Sequence, residues 1–143
     1  MEVTKFRFWS NKQKKWVFPR MWCEGNGILR VYDEEDANIE INQFTGLKDK
    51  RGREIYEGDI VEIDRYDSFK KFSKGIVFYW EEKAKFGMKS LHKFEKEYKD
   101  FYKDLFPIFD DNSVFIDFDY WLPERVLGNI FENPELYDPK DLE

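Results

Sequence analysis

The chain has 143 residues, of which 41% are hydrophobic, 20% aromatic and 38% charged. That aromatic load is enough for a packed core, so the composition excludes global disorder, and the length suits a single domain over residues 1–143. With 24 basic against 30 acidic side chains the net charge is −6, which argues against a generic DNA-coating protein.

The charge is unevenly spread. Lys5, Arg7, Lys12, Lys14, Lys15, Arg20 and Arg30 make the N-terminal region basic, while the stretch from 104 onward is opposed by only Arg125 and Lys140. Neutralisation between the two ends is the simpler account of this than assembly. Cys23 is the one cysteine, so no intramolecular disulfide forms and a reducing compartment is expected. No apolar run has the length of a membrane span, and the opening MEVTKFRFW lacks the apolar stretch of a secretory signal. A cytoplasmic protein with no membrane association is the expectation.

Lys5 to Trp9 alternates polar and apolar residues, as a half-buried strand does, and Lys15 to Phe18 answers it across the polar turn Ser10–Lys14. This predicts an opening hairpin, with Phe8, Trp9, Trp16 and Phe18 filling a core. Met21 to Gly27 reads as loop, with Gly25-Asn26-Gly27 as a turn signal, and Ile28 to Tyr32 as a short strand. Asp33-Glu34-Glu35-Asp36 lacks the glycine-punctuated spacing of a calcium loop, so it reads as a solvated acidic loop. Ile39 to Asn42 alternates again.

The stretch Gln43 to Val61, QFTGLKDKRGREIYEGDIV, organises the middle of the chain. Lys50-Arg51-Gly52 reads as a tight turn, and Tyr56-Glu57-Gly58-Asp59 as a second turn launching a strand from Asp59 to Tyr66. Asp67 to Phe72 reads as a loop, and Lys74-Gly75 opens the strand Ile76 to Trp80. A glycine ahead of each of these strands suggests a small bent β-barrel, SH3-like or related.

The period then changes. Met88, Leu91, Phe94, Tyr98, Phe101, Tyr102 and Leu105 recur at three- and four-residue steps, predicting an inserted amphipathic helix over about 87–106 that stops at Pro107. Ser113 to Tyr120 returns to period two, with Val114, Ile116, Phe118 and Tyr120 on one face and Asp117 and Asp119, with Ser113 and Phe115, on the other, solvated one. Arg125 to Phe131 is a last strand broken by Gly128. Asn133-Pro134-Glu135 has the form of a capped helix start, ahead of a polar tail over 138–143.

Three blocks make the chain resemble the YopX family of phage and prophage proteins: Phe6-Arg7-Phe8-Trp9; the run Gln43 to Asp49 with Glu54 to Val61; and Val126-Leu127-Gly128-Asn129-Ile130-Phe131-Glu132-Asn133-Pro134-Glu135-Leu136. Leu127 and Phe131 stand where the family has Ile and Tyr. The resemblance implies a small, mostly β protein encoded in phage genomes and working in the bacterial host cytoplasm. It implies no activity, cofactor or catalytic residue, so none is carried over.

The residues themselves assign no catalytic, cofactor-binding or metal site. His92 is the lone histidine, expected at the surface, and a zinc site of nitrogen and sulfur ligands is excluded. Cys23 has no activating histidine beside it in sequence and reads as a semi-buried packing residue. Asp110, Asp111, Asp117 and Asp119 have the form of a Mg²⁺ cluster for hydrolysis, but alternate charges on a half-solvated strand account for them more simply. Thr45 to Lys50 has a glycine and lysines without phosphate-loop spacing. Lys83, Lys85, Lys89, Lys93, Lys96, Lys99 and Lys103, with the basic hairpin, offer a nucleic-acid face diluted by Glu95, Glu97 and Asp100. The favoured reading is a non-enzymatic module that binds a protein partner or itself. Nucleic-acid binding is the alternative, and a metal-dependent hydrolase on Asp110–Asp119 is weaker.

Overall fold

The structure is a computed structural model and describes residues 5–64, 73–95, 97, 99–104, 107–109 and 112–137. It is mainly β and falls into two compact units, one reaching to Phe44 and the other beginning at Thr45.

In the first unit, β1 (Phe6–Ser10) pairs antiparallel with β2 (Lys15–Val17), the expected hairpin. Trp9 faces Trp16 with ring centroids 5.1 Å apart, edge to face, and the Arg7 guanidinium lies 4.4 Å from the Trp16 ring. Phe8 and Trp9 are buried as expected, but Phe18 is fully exposed. The strand ends at Val17, so Phe18 has no sheet neighbour to cover it. On its other edge β1 pairs with β5 (Ile39–Lys48), Arg7 opposite Asn42 and Trp9 opposite Glu40.

Residues expected as loop form a strand. β3 (Arg20–Cys23) pairs with β4 (Leu29–Tyr32) around the Gly25–Gly27 turn. The turn closes with the Glu24 N–H on the Ile28 carbonyl and the Gly27 N–H on the Glu24 carbonyl, both at 2.9 Å. Gly27 sits at φ +84°, a conformation open to glycine and costly to other residues. The acidic loop is also more ordered than a solvated one. The Asp33 carboxylate accepts the N–H groups of Glu35 and Asp36, and Asp36 is itself buried.

In the second unit, a turn at Asp49–Gly52 links the end of β5 to β6 (Glu54–Tyr56). The strands β7 (Asp59–Glu62), β8 (Lys74–Trp80), β9 (Lys85–Ser90), β10 (Phe115–Asp117) and β11 (Arg125–Asn129) form an antiparallel sheet in the order β10-β9-β8-β7-β11. It curls into a half-barrel. Val61, Val77, Met88, Val114, Ile116 and Val126 are buried together on its inner side. The loop expected at Asp67–Phe72, and the end of the strand beyond Asp64, lie outside the described residues.

The inserted amphipathic helix is not formed among the described residues. Lys85–Ser90 is strand, hydrogen-bonded between β8 and β10, and the described residues of 91–95 carry no helix. Among the described residues α-helix appears only as a single turn, α1 (Lys99–Tyr102). The helical spacing misled because Met88 and Ser90 are buried at strand period while Phe94 reaches the same core from an irregular segment. Gly87 accounts for the strand. A Cβ there would collide with the Phe115 ring and the Ile116 carbonyl oxygen, so only glycine lets β10 lie this close. Gly75 acts in the same way against the Lys89 backbone, and so serves strand contact rather than a bend ahead of the strand.

β10 ends at Asp117 and a turn follows. Tyr120 is therefore not on the buried face, and Phe115, assigned to the solvated face, is buried. Phe115 packs beneath Trp80 at 4.3 Å and Phe78 at 5.5 Å, an aromatic layer on the outer side of the sheet. Asn133 does not cap the short 3-10 turn Pro134–Leu136; its side-chain oxygen accepts the Asn129 N–H at 3.1 Å instead.

Candidate functional site

Among the described residues, the acidic side chains do not assemble as metal ligands. Asp117 forms an ion pair with Lys85 and accepts the Asp119 N–H at 2.9 Å. Burial by itself raises the Asp117 carboxyl, but the Lys85 ammonium and the Asp119 N–H outweigh it and hold the group below 3.8. Hydrogen bonding to Asp117 raises Lys85 in turn. Asp119 lies exposed in the turn beyond the strand, so the two carboxylates do not project side by side. Asp110 and Asp111 lie outside the described residues. Among the described residues, no three His, Cys, Asp or Glu side chains are grouped to hold a metal ion.

His92 is at the surface, in a bend after β9. Cys23 is exposed on β3 rather than semi-buried, with its sulfur 3.6 Å from the Glu24 carbonyl oxygen. The described lysines assigned to that helix fall on different elements. Lys89 is in β9 with its ammonium 5.6 Å from the Phe109 ring, Lys99 opens α1, and Lys96 lies outside the described residues. Among the described residues no helix is long and apolar enough to cross a membrane.

Two surfaces stand out instead. The first is the β3–β4 hairpin. Of its eight strand residues only Val31 is even partly buried, and Met21, Trp22, Leu29 and Tyr32 are exposed, with Ile28 at the turn. A two-stranded hairpin is marginal in water by itself, and exposed apolar side chains of this size are costly without a use. Beside it, in the same unit, a cleft of about 750 Å³ runs between β4 and the start of β5, with the Asp33–Asp36 loop along it. Asp36 holds that loop in place. It accepts the Lys12 N–H at 3.0 Å, the Asn38 N–H at 2.8 Å and the Ser10 hydroxyl at 2.8 Å, and these bonds lower its pKa in that order. The signal for this hairpin was present in the sequence as two four-residue runs, RMWC and LRVY, flanking a Gly-Asn-Gly turn.

The second surface lies in the other unit, a cleft of about 460 Å³ between Trp80, Phe115, Pro107, Tyr120 and Trp121. Its walls are aromatic, its rim carries Lys83 and the Lys85–Asp117 pair, and the Lys83 ammonium sits 5.8 Å from the Trp80 ring.

The blocks that carried the family resemblance make scaffold. Asp49 accepts the N–H groups of Arg51, Arg53 and Val126, each at 2.9 Å, and Asp59 accepts the Tyr56 N–H at 2.8 Å. Asn129 accepts the N–H groups of Phe131 and Glu132 and donates its N–H to Asn133. A Cβ on Gly128 would strike the Asn133 side chain. These residues close turns and tie β11 to the rest of its unit; their chemistry is structural.

The model of the YopX family, described as YopX protein, matches residues 5–138. No curated protein matches the chain. Among solved structures, the crystal structure of protein EF1440 from Enterococcus faecalis is 25% identical, covers 95% of this chain and 99% of that one, and superposes with a TM-score of 0.48. With a match that runs nearly end to end, this chain belongs to the YopX family.

Proposed function

We propose that this chain is a non-enzymatic protein-binding module, a phage or prophage accessory protein of the bacterial cytoplasm built on a small bent, SH3-like β core. The observation that carries this reading is the β3–β4 hairpin with Met21, Trp22, Ile28, Leu29 and Tyr32 exposed. Tryptophan, tyrosine and methionine are the residues that protein interfaces favour, and burying them against a partner would stabilise a hairpin that is weak by itself. Affinity purification from infected host cells tests it, comparing the natural chain with a Met21→Lys, Trp22→Glu double variant of unchanged melting temperature. A protein retained by the first and lost by the second supports the reading. A chain that is monomeric at all concentrations and recovers no protein overturns it.

A second reading, single-stranded nucleic-acid binding, is favoured by the Trp80–Trp121 cleft, where aromatic walls that would stack on bases lie beside Lys83. Titration with a short oligonucleotide at low salt checks it. Quenching of tryptophan fluorescence that salt reverses supports it, and an unchanged signal ends it.

A further inference from the structure

Two strand edges line the cleft of the first unit. Antiparallel ladders alternate hydrogen-bonded and non-bonded pairs. Glu24 and Ile28 are a bonded pair, so Trp22 with Arg30 and Arg20 with Tyr32 are bonded as well. Leu29 and Val31 therefore turn their N–H and C=O groups away from β3. The same parity holds in β5. The Phe44 N–H donates to the Lys5 carbonyl at 2.8 Å, which makes Asn42 with Arg7 and Glu40 with Trp9 the bonded pairs. Ile39 and Ile41 thus point their backbone groups away from β1. β6 comes directly after the turn closed by the Asp49 N–H and the Arg53 carbonyl, and so takes the far end of β5. Leu29, Val31, Ile39 and Ile41 all line the cleft of about 750 Å³.

We propose that this cleft receives an extended segment of a partner protein as an added β-strand, one that alternates apolar residues with lysine or arginine. Unpaired strand edges are templates for such pairing, with backbone bonds giving affinity and alternate side chains giving specificity. The apolar partners are the side chains of Leu29, Ile39 and Ile41. The charge preference comes from the lining, where Asp33, Glu34, Glu35 and Asp36 outnumber Lys12 and Arg30; the Arg30 guanidinium is already 3.0 Å from Glu24, and Arg20, outside the lining, reaches Glu34 at 4.0 Å. The four residues of β4 span about 13 Å at about 3.3 Å each, so a short segment satisfies the slot. This inference rests on the protein-binding reading and specifies its mode.

The test uses the full chain and a labelled eight-residue peptide alternating valine with lysine, with its ends blocked. Expected are saturable binding by fluorescence anisotropy, at least tenfold slower amide exchange at Leu29, Val31, Ile39 and Ile41, and at least tenfold weaker binding once alternate peptide amides are N-methylated. Ile41→Pro removes an N–H that β1 does not use and should weaken binding at least tenfold. If that variant does not fold, Glu34→Lys with Glu35→Lys serves instead, and should reverse the preference between the lysine peptide and its glutamate counterpart. Equal binding of the methylated and unmethylated peptides, or none at all, overturns strand addition. A dimer formed without peptide and dissolved by Ile41→Pro also overturns it, since the occupant would be a second copy. Partner capture that still depends on Met21 and Trp22 after such a result leaves the protein-binding reading standing.

Discussion

Asp49 shows how much one buried carboxylate can hold. Its two oxygens take N–H groups from its own turn and from Val126, 77 residues along the chain. Replacing it with alanine leaves three donors without their acceptor, and is expected to cost at least about 2 kcal/mol in chemical denaturation, with Asp49→Asn costing less because one oxygen remains. Burial raises this group, but the N–H groups of Arg53, Val126 and Arg51 overcome that and place it below 3.8. A lowered native pKa stabilises the fold above the unfolded value, and that contribution is lost as pH falls through the native one. The gap in stability between the natural chain and Asp49→Asn should therefore be full at neutral pH and shrink as the pH falls below 3.8, which urea titrations at a series of pH values would show. A second test at this scale is Ala84, which adopts φ +51° at the end of the β8–β9 turn. Ala84→Gly relieves that left-handed strain and is expected to stabilise by roughly 0.5–1 kcal/mol in the same measurement.

Strands β9 and β10 show how an element is decided. Sequence periodicity favoured a helix from Gly87, and the tertiary contact of Gly87 with Phe115 made it a strand. Gly87→Ala is expected to destabilise by about 1–3 kcal/mol, because the ring and the Ile116 backbone must both move; thermal melts of the two proteins measure it. If residues 87–90 were helical the same substitution would stabilise, so the sign decides between the two. The hairpin of β1 and β2, and the strands β7, β8 and β11, were legible because alternation and turn glycines act locally and agree with the final pairing. β3 was missed because its residues bury almost nothing, so no polar alternation marks it.

Across the molecule, burial is uneven. The apolar cluster of Ile55, Val61, Val77, Met88, Ile116 and Val126 belongs to the second unit, whereas β3 and β4 are exposed almost throughout. Amide exchange should reflect this, with β7, β8 and β9 exchanging slowest and β3 and β4 fastest in the free chain. Uniform protection across both would mean that the hairpin is covered in solution, as by self-association.

Composition, turn glycines and the ordered blocks at Gln43–Val61 and Val126–Leu136 were enough to determine a mainly β protein and its family, since these signals depend on neighbours in the chain. The candidate surfaces were not determined that way. Whether Trp22 is buried, whether Asp117 is held by Lys85, and whether two strand edges face one cleft all depend on which segments meet in space. Burial and pairing are properties of those meetings, so only the tertiary structure could decide them.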